Sequence, residues 1–333
     1  MPENKSKFKK SALSALFALT LTLTGCAELP ADAPISKVDY KACVISEKDP
    51  LPSPLTEIAD YAVKQAVVTY GINRNSSSVI AEKFASAVSK EIKRKCNLVV
   101  VAGFGFAAQM GEVAKSYPKA NFVFVSDRIH SSLVRSNIEN LVVYSVDTYE
   151  AGYLSGFLAA GLTGNSKVLT AVCPTIGMRE SFVKGMTAGM ANFSDATGNK
   201  VEEQILIDFL PPNGPNQPDV YISAGCPAEN DVSRLEQTEM KLVAYGRDRY
   251  SDPAFEKVKS RIAATIQPQL GTRILDVIGS DLEGDFIGGT LGSFTATFGN
   301  GGLELSPEHD VNLPPALLER LRVAANDYEA SLK

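Results

Sequence analysis

The stretch Leu98–Asp127, LVVVAGFGFAAQMGEVAKSYPKANFVFVSD, constrains the fold more than any other part of the chain. Leu98–Ala102 is a short, continuous, valine-rich run, the pattern of a parallel strand covered on both faces. Gly103 and Gly105 permit a sharp turn. Ala107–Ala114 has helical spacing, and Pro118 stands where that helix has ended. Phe122–Val125 reads as a second buried strand, with Asp127 just past it. In an open parallel sheet, ligands bind outside the carboxyl ends of strands, so Gly103, Phe104 and Asp127 are expected on one rim. Gly103, Gly105 and Ala108 also fit the G-x-G-x-x-A dinucleotide turn, with an acid about twenty residues on. That fingerprint belongs to the first strand of a fold, and here two strand–helix units precede it. The glycines are therefore read as a strand-to-helix turn or as the seat of a ligand other than a nucleotide.

Strand and helix signals alternate along most of the chain, which predicts a doubly wound α/β fold with right-handed crossovers. Strands are expected at 41–46, 66–70, 98–102, 122–125 and 141–145, and helices at 54–64 and 76–95. A second series has helices at 150–162, 176–193 and 228–238 and strands at 167–172, 201–210, 219–223 and 242–245. A helix at 271–278, a strand-like stretch at 290–298 and a closing helix at 314–332 follow. Only PPNGPNQP separates Leu210 from Asp219. This is too short and too proline-rich for the usual crossover helix, so one face of the second lobe is predicted to lack its cover there.

Residues 1–25 read as an export signal. Lys5, Lys7, Lys9 and Lys10 precede the apolar run Ala12–Thr24, which is too short for a permanent span. The run ends in Leu23, Thr24, Gly25 and Cys26, which resembles the lipobox of bacterial lipoproteins. The resemblance implies acylation (palmitate) of Cys26. Residues 26–39 then form a tether, and lipid is the only contact with the membrane. Loss of the signal removes four lysines and one acid from totals of 33 basic and 38 acidic residues, leaving a net charge of about −8. A nucleic-acid partner is not expected for such a chain.

Four further cysteines remain: Cys43, Cys96, Cys173 and Cys226. Three pairings are possible, and four buried thiols are the alternative. Cys43 and Cys96 sit at matching ends of the first and third strands of one lobe, as do Cys173 and Cys226 in the other. Such strands are neighbours in a 2-1-3 sheet, so Cys43–Cys96 and Cys173–Cys226 are the predicted disulfides.

Several segments together resemble the basic-membrane-protein (BMP) family, the purine-nucleoside-receptor type of ABC-transporter substrate-binding lipoprotein. They are the Gly103-to-Phe106 turn, the Tyr117–Phe122 segment, the strand ending at Asp127, and the helix EAGYLSGFLAA from Glu150 to Ala160. Phe182, Gly185 and Gly189, then Phe286, Gly288 and Gly289, and Gly301–Leu303 continue the order. The resemblance implies a type I periplasmic-binding-protein fold, with two Rossmann-like lobes joined by three hinge crossings and a ligand between them. The expected lobes are 40–146 with about 246–270, and 147–245 with about 271–333. It further implies a monomer that serves an ABC permease and binds a nucleoside-like solute. The sequence has no G-x-S-x-G, P-loop or metal-ligand cluster, so neither an enzyme nor a cofactor is expected. Aspartates in this family fix ribose hydroxyls. Asp127 matches one, and Asp248, after Gly246 and Arg247, matches another.

The chain departs from the family in three places. Glu47–Pro52 (EKDPLP) replaces a first loop that carries an acid or amide and a phenylalanine, leaving Asp49 as the substitute acid. The hinge lysine falls in Thr265–Pro268, where no lysine stands. The glycine-rich run after Ala224 is reduced to Gly225, Cys226 and Pro227. The expected ligand set is thus Asp127, Asp248, Phe104, Gly103, Asp49 and Gly225. Arg179 is a weaker candidate for an anionic group. His130 and His309 are expected at the surface. The alternative functions are a surface lipoprotein that keeps the fold with altered or lost solute binding, for adhesion, scaffolding or sensing, and a nucleotide-dependent enzyme built on the Gly103 turn.

Overall fold

The computed structural model describes residues 39–48, 54–128, 130–172, 176–205, 217–306 and 313–331. All lie in the body Pro34–Lys333. The leader, Cys26, the tether up to residue 38, Asp49, Cys173, the PPNGPNQP segment up to Asn216, and His309 fall outside the described residues.

Among the described residues, two six-stranded sheets build the body. The first has the order β11-β5-β4-β3-β1-β2, from β1 (Lys41–Glu47), β2 (Asn73–Val79), β3 (Leu98–Ala102), β4 (Asn121–Ser126), β5 (Leu141–Val146) and β11 (Phe294–Ala296). All its pairings are parallel. The second has the order β12-β10-β9-β8-β6-β7, from β6 (Lys167–Val172), β7 (Glu202–Ile205), β8 (Val220–Ala224), β9 (Lys241–Tyr245), β10 (Ile262–Pro268) and β12 (Leu303–Leu305). Only β12 runs antiparallel, along β10. The central strands are buried over nearly their whole length, as their uninterrupted apolar runs require.

Two sequence expectations shift by one element. Ala66–Tyr70 is not a strand but the last turn of α1 (Pro54–Tyr70). Its buried residues Leu55, Ile58, Ala59, Ala62, Val63 and Ala66 continue one helical stripe, so helical periodicity overrides the local β preference. The true second strand, Asn73–Val79, is polar and half-exposed. It pairs with β1 on one side only, and an edge strand carries little apolar signal.

The lobe boundaries also need correction. Ile262–Pro268 pairs with β9 and belongs to the second sheet, not the first lobe. Helix α8 (Leu270–Glu283) returns to the first lobe: Asn121 Nδ2 donates to Asp281 at 2.5 Å, and the Tyr70 hydroxyl donates to the Leu275 carbonyl at 3.4 Å. The strand β11 follows it there. The chain therefore crosses between lobes after β5, after β10 and after β11. The crossings are tied together: Asp147 N donates to Ala296 O at 3.0 Å, and Gln269 N to Gly302 O at 2.8 Å.

Helices α5 (Thr148–Leu162) and α6 (Ile176–Thr197) pack at unusually close range. A Cβ on Gly152 would lie 2.1 Å from the Phe182 carbonyl oxygen, and one on Gly156 2.0 Å from that of Met186. Reciprocally, a Cβ on Gly185 would lie 1.9 Å from the Tyr149 carbonyl oxygen and one on Gly189 2.0 Å from that of Tyr153. Only glycine admits such an approach. One apolar cluster runs without a break from the α1 and α8 face of the first sheet to the α5 and α6 face of the second, taking in Tyr144, Phe182, Met186 and Tyr245.

Cys43 and Cys96 form a disulfide with Cα atoms 6.0 Å apart, as the adjacency of β1 and β3 predicts. Cys226 is disulfide-bonded. Its expected partner, Cys173, lies outside the described residues. Among the described residues, no helix is long and apolar enough to cross a membrane.

Candidate functional site

The first rim lies at the carboxyl end of the first sheet. Gly103 follows β3 with φ +145, a conformation open only to glycine. Its turn is already occupied. Glu47, the last residue of β1, accepts the Gly105 amide through Oε2 at 2.9 Å. A Cβ on Gly105 would lie 2.0 Å from Glu47 Oε1. The place where a dinucleotide turn would offer its amides to phosphate holds an internal carboxylate. Gly103 is thus a turn glycine facing Glu47, and Phe104 stands beside it, half-buried, with the Arg128 guanidinium 4.6 Å above its ring.

His130 is not the surface residue expected. It is half-buried, with its Nε2 2.8 Å from the Oγ of buried Ser126, and its ring packs against Phe104 and Phe124 at 5.9 and 5.5 Å. Burial first, and the Arg128 charge second, push its pKa down from the ordinary value, so the neutral imidazole is favoured.

Asp127 takes the predicted place after β4 and is 4% exposed. It opens onto a cavity of about 290 Å³ that both lobes line. Arg128, Asp147, Thr148 and Tyr149 stand around it from the first lobe and its crossing, and Glu180, Ser181 and Lys184 from α6. Asp147 caps α5, accepting the amides of Tyr149 and Glu150 at 3.1 Å each. Glu180 and Lys184 pair at 2.7 Å. Arg179, one residue earlier, is exposed and lines neither this cavity nor the next.

Asp248 lies after β9 and is 8% exposed. It does not meet Asp127 in one cavity. It lines a second one, of about 490 Å³, with Tyr61, Gln65, Arg247, Gln267 and Gln269. Its carboxylate accepts the amides of Tyr250 at 3.1 Å and Ser251 at 3.2 Å, an Asx-type turn that holds the loop. The lobes touch at this cavity: Arg247 lies 5.3 Å from the Tyr61 ring centroid, and a Cβ on Gly246 would meet Pro54 at 3.1 Å. Arg249 fixes the same loop from inside, donating to the Cys226 carbonyl at 2.7 Å beside buried Asp231. Asp231 accepts from Tyr221 and Ser223, and burial raises its pKa to about 6. Gly225, with φ +65, is a turn at the end of β8, its amide bonded to Tyr245 O at 3.4 Å. It lines neither cavity.

Three residues escaped the reading of the sequence. Glu47 was read only as the start of a loop. Glu150, in the family-like helix, is fully buried at the hinge. Its Oε2 accepts the Phe298 amide at 3.1 Å across the third crossing. Tyr245, the last residue of β9, is buried with its ring 5.4 Å from Phe182 of α6. An aromatic residue directly before Gly246 at a strand's carboxyl end was the available signal.

Comparison with known structures places this architecture. An ABC transporter system solute-binding protein from Conexibacter woesei is 16% identical with a TM-score of 0.65, covering 88% of this chain and 97% of that one. A solute-binding protein of the same kind from Aeropyrum pernix is 15% identical with a TM-score of 0.62, covering 86% of each chain. A transcriptional activator of the comK gene from Bacillus halodurans is 16% identical with a TM-score of 0.59, covering 86% of this chain and 97% of that one. At such identities the likeness is one of fold. A search of curated proteins finds no match. Residues 53–199 match the family described as ABC transporter substrate-binding protein, PnrA-like. That match spans α1 to the end of α6, takes in both interlocked glycine helices and covers less than half of the chain.

Proposed function

We propose that this protein is the solute-binding lipoprotein of an ABC-type importer, holding a small, polar, nucleoside-like solute between its lobes. The observation that carries the reading is the cavity in which Asp127, at a strand end of one lobe, faces α6 of the other. A carboxylate on the rim accepts ligand hydroxyls, and a three-crossing hinge lets the lobes close on them. Acylated Cys26 anchors a monomeric body on the outer face of the cell membrane, where a permease receives the closed form. No reaction chemistry is assigned to the site.

A specific observation favours a second reading, a surface lipoprotein with altered or lost solute binding. Glu47 already fills the first turn, and Asp248 already serves its own loop. Thermal denaturation with adenosine, inosine and D-ribose separates the two. A ligand at a hundred times its Kd stabilises by about 2.7 kcal/mol, so a rise in Tm with any of them supports transport. A flat response to all three supports the second reading.

A further inference from the structure

We propose that Tyr245 is the second lobe's specificity residue, sharing one solute hydroxyl with Asp127 and selecting an uncharged, hydroxylated ring. This rests on the solute-binding reading above and adds a residue to it.

Tyr245 ends β9, on the rim where an open parallel sheet receives its ligand. Its side chain is 1% exposed. The ring lies against Phe182, which adjoins Ser181 on the cavity wall. The hydroxyl has no hydrogen-bond partner among the described residues. A buried tyrosine hydroxyl normally has one, and here no described residue supplies it. Burial raises its pKa most, followed by the charges of Asp127, at the end of β4, and Asp147, on the first crossing. Both carboxylates line the smaller cavity. The phenol is thus held in its protonated, donating form.

That arrangement defines what fits. A solute hydroxyl accepts from the Tyr245 hydroxyl and donates its own proton to a carboxylate, so both sides are satisfied by one group. An anionic group is repelled by Asp127 and Asp147, and an ammonium offers no lone pair to the phenol. An uncharged sugar or nucleoside ring meets both requirements. Gly246, with φ +127, turns the chain immediately after Tyr245, so the residues that follow line the larger cavity instead.

The test is Tyr245→Phe, which removes one oxygen and keeps the ring. Inosine and D-ribose serve as probes in calorimetric titrations of wild-type, Tyr245→Phe, Asp127→Asn and the double variant. The expected result is a loss of about 10-fold in affinity for Tyr245→Phe, non-additive with Asp127→Asn, and an unliganded Tm no lower than wild-type. Equal affinity in wild-type and Tyr245→Phe overturns this inference and leaves solute binding standing. A fall of several degrees in the unliganded Tm also overturns it, because the hydroxyl would then serve the fold. Wild-type protein that binds neither probe overturns this assignment, and a flat thermal response to adenosine as well removes the solute reading with it.

Discussion

Glu47 lays its carboxylate over the turn after β3 and accepts the Gly105 amide at 2.9 Å. The two glycines of that turn fail differently when substituted. Gly105→Ala places a methyl against the Glu47 carboxylate, so Glu47→Ala is expected to restore most of the lost stability. Gly103→Ala carries the added cost of φ +145, about 1–3 kcal/mol, and Glu47→Ala leaves that part untouched. Urea unfolding of the three single and two double variants checks the difference in rescue.

The glycine interlock of α5 and α6 gives a sharper prediction. Gly156→Ala drives a methyl into the Met186 carbonyl and forces two backbones apart, at about 3 kcal/mol or more. Gly271→Ala is the control: its Cβ would meet Ile58 at an ordinary 3.6 Å. In the first turn of α8 that change is expected to be neutral or to stabilise by up to about 1 kcal/mol. Chemical denaturation of the two variants reads this out, and equal effects would refute the interlock.

The Cys43–Cys96 bond closes a segment of sequence separation 53. Chain entropy then predicts a loss of about 4 kcal/mol on removing both sulfurs. Cys43→Ser with Cys96→Ser is expected to lower the urea midpoint, and a reductant is expected to have less effect on the variant than on wild-type.

Stability depends on pH through Glu150. Burial raises its pKa to about 7, with Asp147 and Glu329 adding to the shift and the Phe298 amide opposing it. The folded state therefore holds a proton that the unfolded state releases near 4.5. Stability from this group is present below about pH 4.5 and is lost as pH rises through about 7, by roughly 3 kcal/mol at most. Asp231, raised to about 6, contributes in the same direction over a lower window. Glu150→Gln is expected to unfold later than wild-type at pH 8 and to flatten the profile between pH 5 and 7. An unchanged slope would remove Glu150 as its source.

Strand and helix order in the first lobe was legible from Leu98–Asp127 because buried parallel strands are written as apolar runs. The Cys43–Cys96 pairing followed from strand adjacency alone. Asn73–Val79 was not legible, since an edge strand buries little and carries polar residues. Ile262–Pro268 was assigned to the wrong lobe because apolar runs do not say which sheet they join. At the site, Asp127 was legible as an acid past a strand end. The separation of Asp127 and Asp248 into different cavities was not, because side-chain capping of a turn leaves no distinctive spacing. Tyr245 was missed for a related reason: a tyrosine in a strand reads as core until its hydroxyl proves to lack a partner among the described residues.

Native mass spectrometry of the protein purified without denaturation from its own cells tests the central claim most directly. The account predicts a noncovalent adduct with the mass of one pentose or nucleoside, lost in Asp127→Asn protein prepared in the same way. A bare chain from wild-type cells, or an adduct that persists unchanged in Asp127→Asn, would contradict it.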